Sequence, residues 1–262
     1  MKERIDHILV EKRLVESRTK AQWLIKNGYV LVENKIILKP SKRIERSLTV
    51  RLVKDFPYVS RGGLKLESAL KEFSISVKGK ICVDIGASVG GFTDCLIKHG
   101  ALKVYSIDTA TDLLHSSLKT EEMKKKILPI LGLDARNLIS VKEECDICTI
   151  DVTFASLREI IPNVKRILKK NGDIIALVKP IFETDFQFNK KFMIVKDPNH
   201  LFQILRDLIQ WNIKNQIYPY KIIKSPILGK EGSLEFFIHL RFEELKKNLD
   251  YNKLIREILE NN

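Results

Sequence analysis

The sequence predicts an α/β fold: an open, mostly parallel sheet of seven strands with one antiparallel strand, preceded by a small α+β unit. Three observations carry this. From residue 80 onward, apolar runs of strand length alternate with segments of helical periodicity, as in a parallel sheet with crossover helices. The last two runs are joined by a short glycine-containing link, Leu228-Gly229-Lys230-Glu231-Gly232, which fits a hairpin and so reverses one strand. The first 53 residues read instead as two helices followed by three short strands.

In the amino-terminal unit, Ile5, Ile8, Leu9 and Leu14 share one side of a helix over 4–14. Ser17 is placed as the N-cap of a second helix to about Asn27, with Ala21, Leu24 and Ile25 as its apolar stripe and Gly28 as its stop. Tyr29–Val32 and Lys35–Leu38 read as strands around the polar pair Glu33-Asn34. Pro40-Ser41 reads as a turn and Leu48–Val53 as a third strand. Residues 54–60 form a connector. Ser60-Arg61-Gly62-Gly63 then opens a helix to about Phe73, with Leu66, Ala69, Leu70 and Phe73 as its buried stripe and Lys65 off it. Strands of the main sheet fall at 81–85, 103–107, 127–131, 146–151, 173–178, 217–224 and 234–241. Helices fall at about 91–99, 112–119, 156–170 and 199–213, with a tail helix at about 243–260. The expected domains are 1–56, a linker at 57–62, and 63–262.

The composition, with 44% hydrophobic and 30% charged residues among 262, is that of a globular chain rather than a disordered one. No apolar run approaches the roughly 18 residues of a membrane span, and Met1–Asp6 has no signal-like apolar core, so a cytoplasmic protein is expected. Cys82, Cys95, Cys145 and Cys148 are too few for a disulfide framework; the Cys145–Cys148 spacing lies beside an apolar strand and reads as buried thiols, with no metal. The net charge of +13 is uneven: the first 80 residues carry +10 of it. A basic front end suggests that this part meets a polyanion.

The candidate ligand site is the turn after the first long strand. Val83-Asp84-Ile85-Gly86 leads through Ala87-Ser88-Val89-Gly90-Gly91-Phe92 into a helix. Gly86 and Gly90 allow a tight turn and close ligand approach. The spacing is not Gly-x-Gly-x-x-Gly, and no Gly-Lys-Ser/Thr follows, so a phosphate loop is excluded. An acid just before the first glycine suits the cationic amino-acid end of S-adenosylmethionine. Asp108, 24 residues after Asp84 and at the next strand end, can accept hydrogen bonds from two ribose hydroxyls. Asp134 and Ala135, beyond the third strand, are further candidate cofactor contacts.

Two more strands end in polar residues, at Asp151 and at Lys179-Pro180, and Glu235 interrupts a late apolar run. Proline biases Lys179 to an extended backbone at the crevice rim. A desolvated lysine beside a second cation can lose its proton near neutral pH. Lys179 is thus a candidate general base for a ribose 2′-hydroxyl. Lys65 is the second cation or a phosphate ligand, and Asp151 and Glu235 orient the amines.

The first 55 residues resemble the S4 RNA-binding module through Arg4, Asp6, Ser17-Arg18, Ala21, Ile25, Gly28, Val30, Val32 and Pro40-Ser41. The resemblance implies RNA contacts at Arg13, Arg18 and Lys20, with Arg4, Lys12 and Arg61 as further candidates. Tyr58–Leu66, Asp84–Ser88, Gly90–Asp94, Lys179-Pro180 and Gly229–Glu235-Phe236 are similar to the TlyA family. That family joins an S4 module to an FtsJ-like, Rossmann-like class I methyltransferase domain and is also known as haemolysin A. Its Lys-Asp-Lys-Glu set would match Lys65, Asp151, Lys179 and Glu235. The resemblance implies cytidine 2′-O-methylation of ribosomal RNA or ribosomal subunits, S-adenosylmethionine as donor, no metal and no stable membrane insertion. The chain departs from the family pattern at Val89, Ile181, residues 109–114 and residues 185–192. These departures motivate one alternative, an RNA-binding or ribosome-assembly protein of weak or no activity; a third reading, a membrane-active haemolysin, has the lack of a signal, a span or an amphipathic basic helix against it.

Overall fold

A computed structural model describes residues 2–26, 29–52, 57–184, 195, 197–229, 232–244 and 249–260. The chain divides into two compact units, Met1–Arg61 and Gly62–Asn262.

The first unit contains β1 (Lys2–Arg4), α1 (Ile5–Glu11), α2 (Arg18–Lys26), β2 (Val30–Val32), β3 (Lys35–Ile36), β4 (Arg43–Glu45) and β5 (Val50–Leu52). Strand β2 is the centre of a three-stranded antiparallel sheet, and β1 pairs with β4. Glu33 and Asn34 take φ of +47° and +65°, the two left-handed residues of a tight hairpin turn between β2 and β3. The Ser17 hydroxyl accepts the Lys20 N–H at 3.2 Å, which caps α2 as its position suggests. Helix α1 packs on α2, with Ile5, Ile8, Leu9, Leu24 and Ile25 buried. The first helix is shorter than its periodicity suggests. Residues 2–4 are a strand instead, and Arg13 turns left-handed at φ +54°. The expected stop at Asn27-Gly28 and the end of the third strand at Val53 lie outside the described residues.

The second unit begins with α3 (Arg61–Phe73), which starts at the unit boundary, then β6 (Ile81–Ile85), α4 (Gly91–Lys98), β7 (Lys103–Asp108), α5 (Glu121–Lys124), β8 (Ile127–Leu131) and β9 (Cys145–Ile150). It continues with α6 (Leu157–Val164), β10 (Leu168–Val178), α7 (Pro180–Glu183), α8 (Pro198–Lys214), β11 (Tyr218–Lys224), β12 (Phe236–Arg241) and α9 (Tyr251–Glu260). Seven strands form one sheet in the order β11-β12-β10-β9-β6-β7-β8. The neighbours from β8 to β10 are parallel, and β12 is antiparallel to both β10 and β11. This is a Rossmann-like sheet with helices on both faces.

The alternation of β12 shows how the faces are filled. Phe236, Ile238 and Leu240 join the core cluster that holds residues of α6 and α8. Phe237 meets Phe92 of α4, and His239 stacks on Phe73 of α3. Two expected helices differ. Residues 112–119 form only a 3-10 turn at Ser116–Leu118. The helix placed over 156–170 ends at Val164, and β10 already starts at Leu168. The tail helix begins at Tyr251, later than expected. All four cysteines are buried, and burial pushes the Cys145 thiol up to about 12.

Candidate active site

The strand register brings the predicted residues to one edge of the sheet. Ile85 of β6 lies beside Ile150 of β9, Ile150 beside Ala176 of β10, and Val178 of β10 opposite Phe236 of β12. Gly86, Asp151, Lys179 and Glu235 each stand one residue beyond these strand ends, so they share the carboxyl edge where open α/β sheets take their ligands. Gly86 has φ +83°, and a methyl group there would overlap the Asp151 carbonyl. Only glycine lets the first loop close on the second strand end.

Lys179 has the extended backbone expected before Pro180, with φ −108° and ψ 102°. Its Nζ lies 2.6 Å from Asp151 Oδ1, an ion pair whose angle falls outside hydrogen-bond geometry. It donates to the Val152 carbonyl at 2.9 Å and to Thr153 Oγ1 at 3.2 Å. The amine therefore faces three oxygens while keeping 17% of its side chain exposed. Lys65 pairs with Glu235, and both are buried. The sequence places Lys65 off the buried stripe of its helix; the structure places it on that face, four residues before Ala69, because Glu235 supplies its counter-charge. Gly229 makes room for this pair, since a methyl group there would overlap Glu235 Oε1. Lys230 and Glu231 of the same motif lie outside the described residues.

A cavity of about 430 Å³ opens beside this edge, within the usual range for a small ligand. Gly86, Ser88, Asp108, Asp134, Ala135 and Asp151 line it, as the sequence suggests for a cofactor site. Asp108 accepts the Ser88 N–H at 2.7 Å on one oxygen and the Ala110 N–H at 2.8 Å on the other. The Thr109 hydroxyl adds a long bond of 3.5 Å to the second oxygen, so the carboxylate is fixed and the oxygen that takes Ser88 keeps a lone pair. Asp134 caps the 3-10 turn Ala135–Asn137 and is held by Arg136, whose guanidinium keeps its carboxyl below the usual range. Ile85, Ile107, Leu133 and Ile160 add apolar wall.

Four of the candidate cofactor residues sit elsewhere. Asp84 is fully buried, taking the Thr93 hydroxyl at 2.7 Å on one oxygen and the Thr149 hydroxyl at 3.0 Å on the other. Burial, partly offset by these bonds, pushes its carboxyl up to about 7. Asp84 thus braces the strand ends from within, because its side chain points into the sheet layer rather than along the loop. Ala87 is buried and hangs by its N–H from the Ile107 carbonyl at 3.0 Å. Gly90 takes φ +95° against Leu114 and Leu118, and Phe92 packs on Phe237 in the core. None of the four lines the cavity.

Sequence reasoning missed Arg136, Val152, Thr153 and Phe154, all cavity-lining. Phe154 is 67% exposed and has a left-handed φ of +68°, while its ring tilts on Phe182 at 5.7 Å. No periodicity marks such residues; their one signal is nearness to Asp151. It also missed Glu183. This buried carboxylate accepts the Ser156 hydroxyl at 2.7 Å, the Leu157 N–H at 2.8 Å and Arg158 at 3.0 Å, and so fastens α7 to the start of α6. Residues 185–192 of the expected substrate lip lie outside the described residues.

In the amino-terminal unit, Arg4 and Arg18 converge on the buried Asp6. Arg4 donates twice at 2.9 Å, Arg18 at 3.2 Å, and Gln22 adds a bond at 2.8 Å. The two arginines are thereby oriented while 34% and 52% of their side chains stay exposed. Lys12 and Arg13 are exposed at the end of α1, Lys12 reaching the Leu48 carbonyl at 3.3 Å. Lys20 lies 3.4 Å from Glu16, and Arg61 is half-buried at the start of α3. Among the described residues no group of three or more His, Cys, Asp or Glu is arranged to hold a metal ion, and no helix is long and apolar enough to cross a membrane.

Residues 58–242 match the model of the FtsJ-like methyltransferases, and residues 3–50 match the S4 domain. The chain is 40% identical to a Bacillus subtilis protein described as a candidate rRNA methyltransferase, YqxC, over 92% of this chain and 86% of that one. It is 30% identical to the Mycobacterium tuberculosis 16S/23S rRNA (cytidine-2′-O)-methyltransferase TlyA, over 91% of this chain and 89% of that one. A solved structure of a candidate hemolysin from Streptococcus thermophilus superposes with a TM-score of 0.74 at 31% identity, covering 98% of this chain and 94% of the other.

Proposed function

The chain belongs to the FtsJ-like methyltransferases, in the TlyA family that carries an S4 domain in front, and on that premise we propose that it methylates a cytidine ribose 2′-hydroxyl of ribosomal RNA. The observation that carries this reading is the Lys179–Asp151 pair at the lip of the cavity.

The cavity fits S-adenosylmethionine. Asp108 faces it with a free lone pair for a ribose hydroxyl, Ile107, Leu133 and Ala135 offer apolar surface for a purine, and Gly86 and Ser88 line it, Ser88 bonded to Asp108. When bound, this donor supplies a methyl group on a sulfonium. The protein's part is positioning and proton handling. Asp151 holds Lys179 Nζ at the rim. Thr153 Oγ1 makes the longest of the three contacts and is exposed, so it is the partner that a substrate hydroxyl can replace. Lys179 releases one proton to solvent and then takes the hydroxyl proton, so that the ribose oxygen bonds to the methyl carbon as the bond from that carbon to sulfur breaks. Glu235 pairs with Lys65 and fixes it beside this edge, as a cation for the substrate phosphate. The S4 unit, with Arg4 and Arg18 braced by Asp6, supplies sequence-independent backbone affinity.

Mapping 2′-O-methyl positions on ribosomal RNA after incubation with the protein and S-adenosylmethionine tests the reading. A new methylated cytidine is expected with the wild type and none with Lys179→Ala. No methylated position with the wild type, or a methylated base instead of a ribose, would overturn it.

A further inference from the structure

The opposite, amino-terminal edge of the large sheet carries a row of cations that methyl transfer does not use. Parallel strands begin together there, so the residues before each strand become neighbours. Ile81 lies beside Lys103, and Val104 beside Ile127. The Lys80 carbonyl accepts the Leu102 N–H and the Lys126 carbonyl accepts the Val104 N–H, both at 2.8 Å. Cys145 lies beside Leu168. Each start brings its own cations: Lys78 and Lys80 before β6, Lys103 on β7, Lys124, Lys125 and Lys126 before β8, Lys142 before β9, and Lys165, Arg166, Lys169 and Lys170 around the start of β10. Five strands at about 4.8 Å spread this row over about 19 Å.

Ion pairing separates the structural cations from the rest. Asp146 holds Lys169 at 2.9 Å and Lys80 at 3.9 Å, Glu143 holds Lys103, and Glu121 holds Lys124 at 2.6 Å. Lys165 lies over the Phe242 ring. By contrast Lys78, Lys125, Lys126, Lys142, Arg166 and Lys170 are exposed, and none has a salt-bridge partner among the described residues. Neutralising helix C-termini explains cations that follow α5 and α6, such as Lys125 and Arg166. It does not explain Lys78, Lys142 or Lys170.

We propose that this edge is a second docking surface for RNA, taking the phosphate backbone of a double-stranded segment of the same folded molecule whose target ribose enters at the carboxyl edge. The proposal rests on the RNA-methylation reading and adds a substrate class to it. Strands of five or six residues hold the two edges about 17–20 Å apart, so the preferred substrate is a structured RNA that reaches both, not a short single strand. Lysines arranged as point charges set affinity and salt dependence without reading sequence. They sit on strand starts and short turns rather than on an amphipathic helix that could insert, which favours a phosphate backbone over a bilayer.

The test compares the full-length protein with a variant carrying Lys78→Gln, Lys126→Gln, Lys142→Gln and Lys170→Gln. Binding to folded ribosomal RNA transcribed in vitro and to a short single strand is titrated across salt, and S-adenosylmethionine affinity reports on the integrity of the fold. The variant should bind folded RNA at least tenfold more weakly at about 0.1 M salt, with the log–log salt slope reduced by about three. Its affinities for the cofactor and the short strand should be unchanged. An unchanged affinity and slope on folded RNA overturns the proposal. So does an equal loss on both RNAs, or anionic vesicles binding through these lysines with RNA binding unaffected. The two readings separate cleanly: docking through this edge without methyl transfer refutes the methylation reading alone. Methyl transfer with RNA binding by the variant at the wild-type level refutes the docking surface alone.

Discussion

Replacing Asp84 with asparagine should change how stability depends on pH while leaving the ligand cavity intact. The wild-type carboxyl sits near 7 in the folded chain and at its ordinary 3.8 when unfolded. Between those values the native state holds more protons than the unfolded state, so stability is greatest below 3.8 and falls as pH rises through 7. Three pH units correspond to about 4 kcal/mol in total, of which about 2.5 kcal/mol falls between pH 5 and pH 8. Asparagine keeps the shape. Its oxygen can accept from Thr149, and its amide can donate to Thr93, whose hydroxyl is free to turn towards Ser106 at 2.8 Å. The assay is urea unfolding of the second unit read by Trp211 in a Trp23→Phe background, since these are the chain's two tryptophans. From pH 5 to pH 8 the wild type should lose about 2–3 kcal/mol more than Asp84→Asn. Cofactor affinity should stay within about twofold, because Asp84 is bonded inside the sheet. Parallel pH profiles for the two proteins would refute the reasoning, and so would collapse of cofactor binding in the variant.

Other outcomes follow from the same geometry. Gly86→Ala puts a side chain on a left-handed backbone and against the Asp151 carbonyl, which cannot swing aside, so urea titration should show a loss of about 3 kcal/mol. Gly229→Ala meets the Ser233 hydroxyl and the Glu235 side chain, and Glu235 can move off Lys65. Its methyl transfer should fall at least tenfold with cofactor affinity retained, as calorimetry and a transfer assay would show. Asp6→Asn should cost the first unit about 1–2 kcal/mol at neutral pH, discounted because both arginines remain half open to solvent. The depressed Asp6 carboxyl makes this contribution decline as pH falls below 3.8 and disappear only below its lower folded-state value, so wild type and variant should converge in strong acid.

The strands of the large sheet were legible because buried parallel strands are short continuous apolar runs, as at 174–178. Two helices were misjudged for identifiable reasons. Leu113, Leu114 and Leu118 have helical spacing, but Leu114 and Leu118 are spent on the Gly90 turn while Leu113 faces the cavity. Ile160, Ile161, Val164, Ile167 and Leu168 form one helical stripe in sequence, yet Leu168 pairs with Cys145 in the sheet. Strand pairing overrode the period. Strand β1 is polar and three residues long, so no alternation announces it. At the edge, the charged residues interrupting apolar strands marked Asp151, Lys179 and Glu235. Nothing in the sequence showed that Asp84 would be sealed by Thr93 and Thr149, because partners nine and 65 residues away are set by the fold. Arg136 and Thr153 likewise gain meaning only from the cavity wall they form.

The most direct test of the proposed site is single-turnover transfer of a labelled methyl group from S-adenosylmethionine to ribosomal RNA by wild type and Lys179→Met. The rate should drop at least about 100-fold, the scale of losing a positioned general base, with cofactor affinity within about twofold of wild type. Equal rates in the two proteins would contradict the assignment of proton transfer to Lys179.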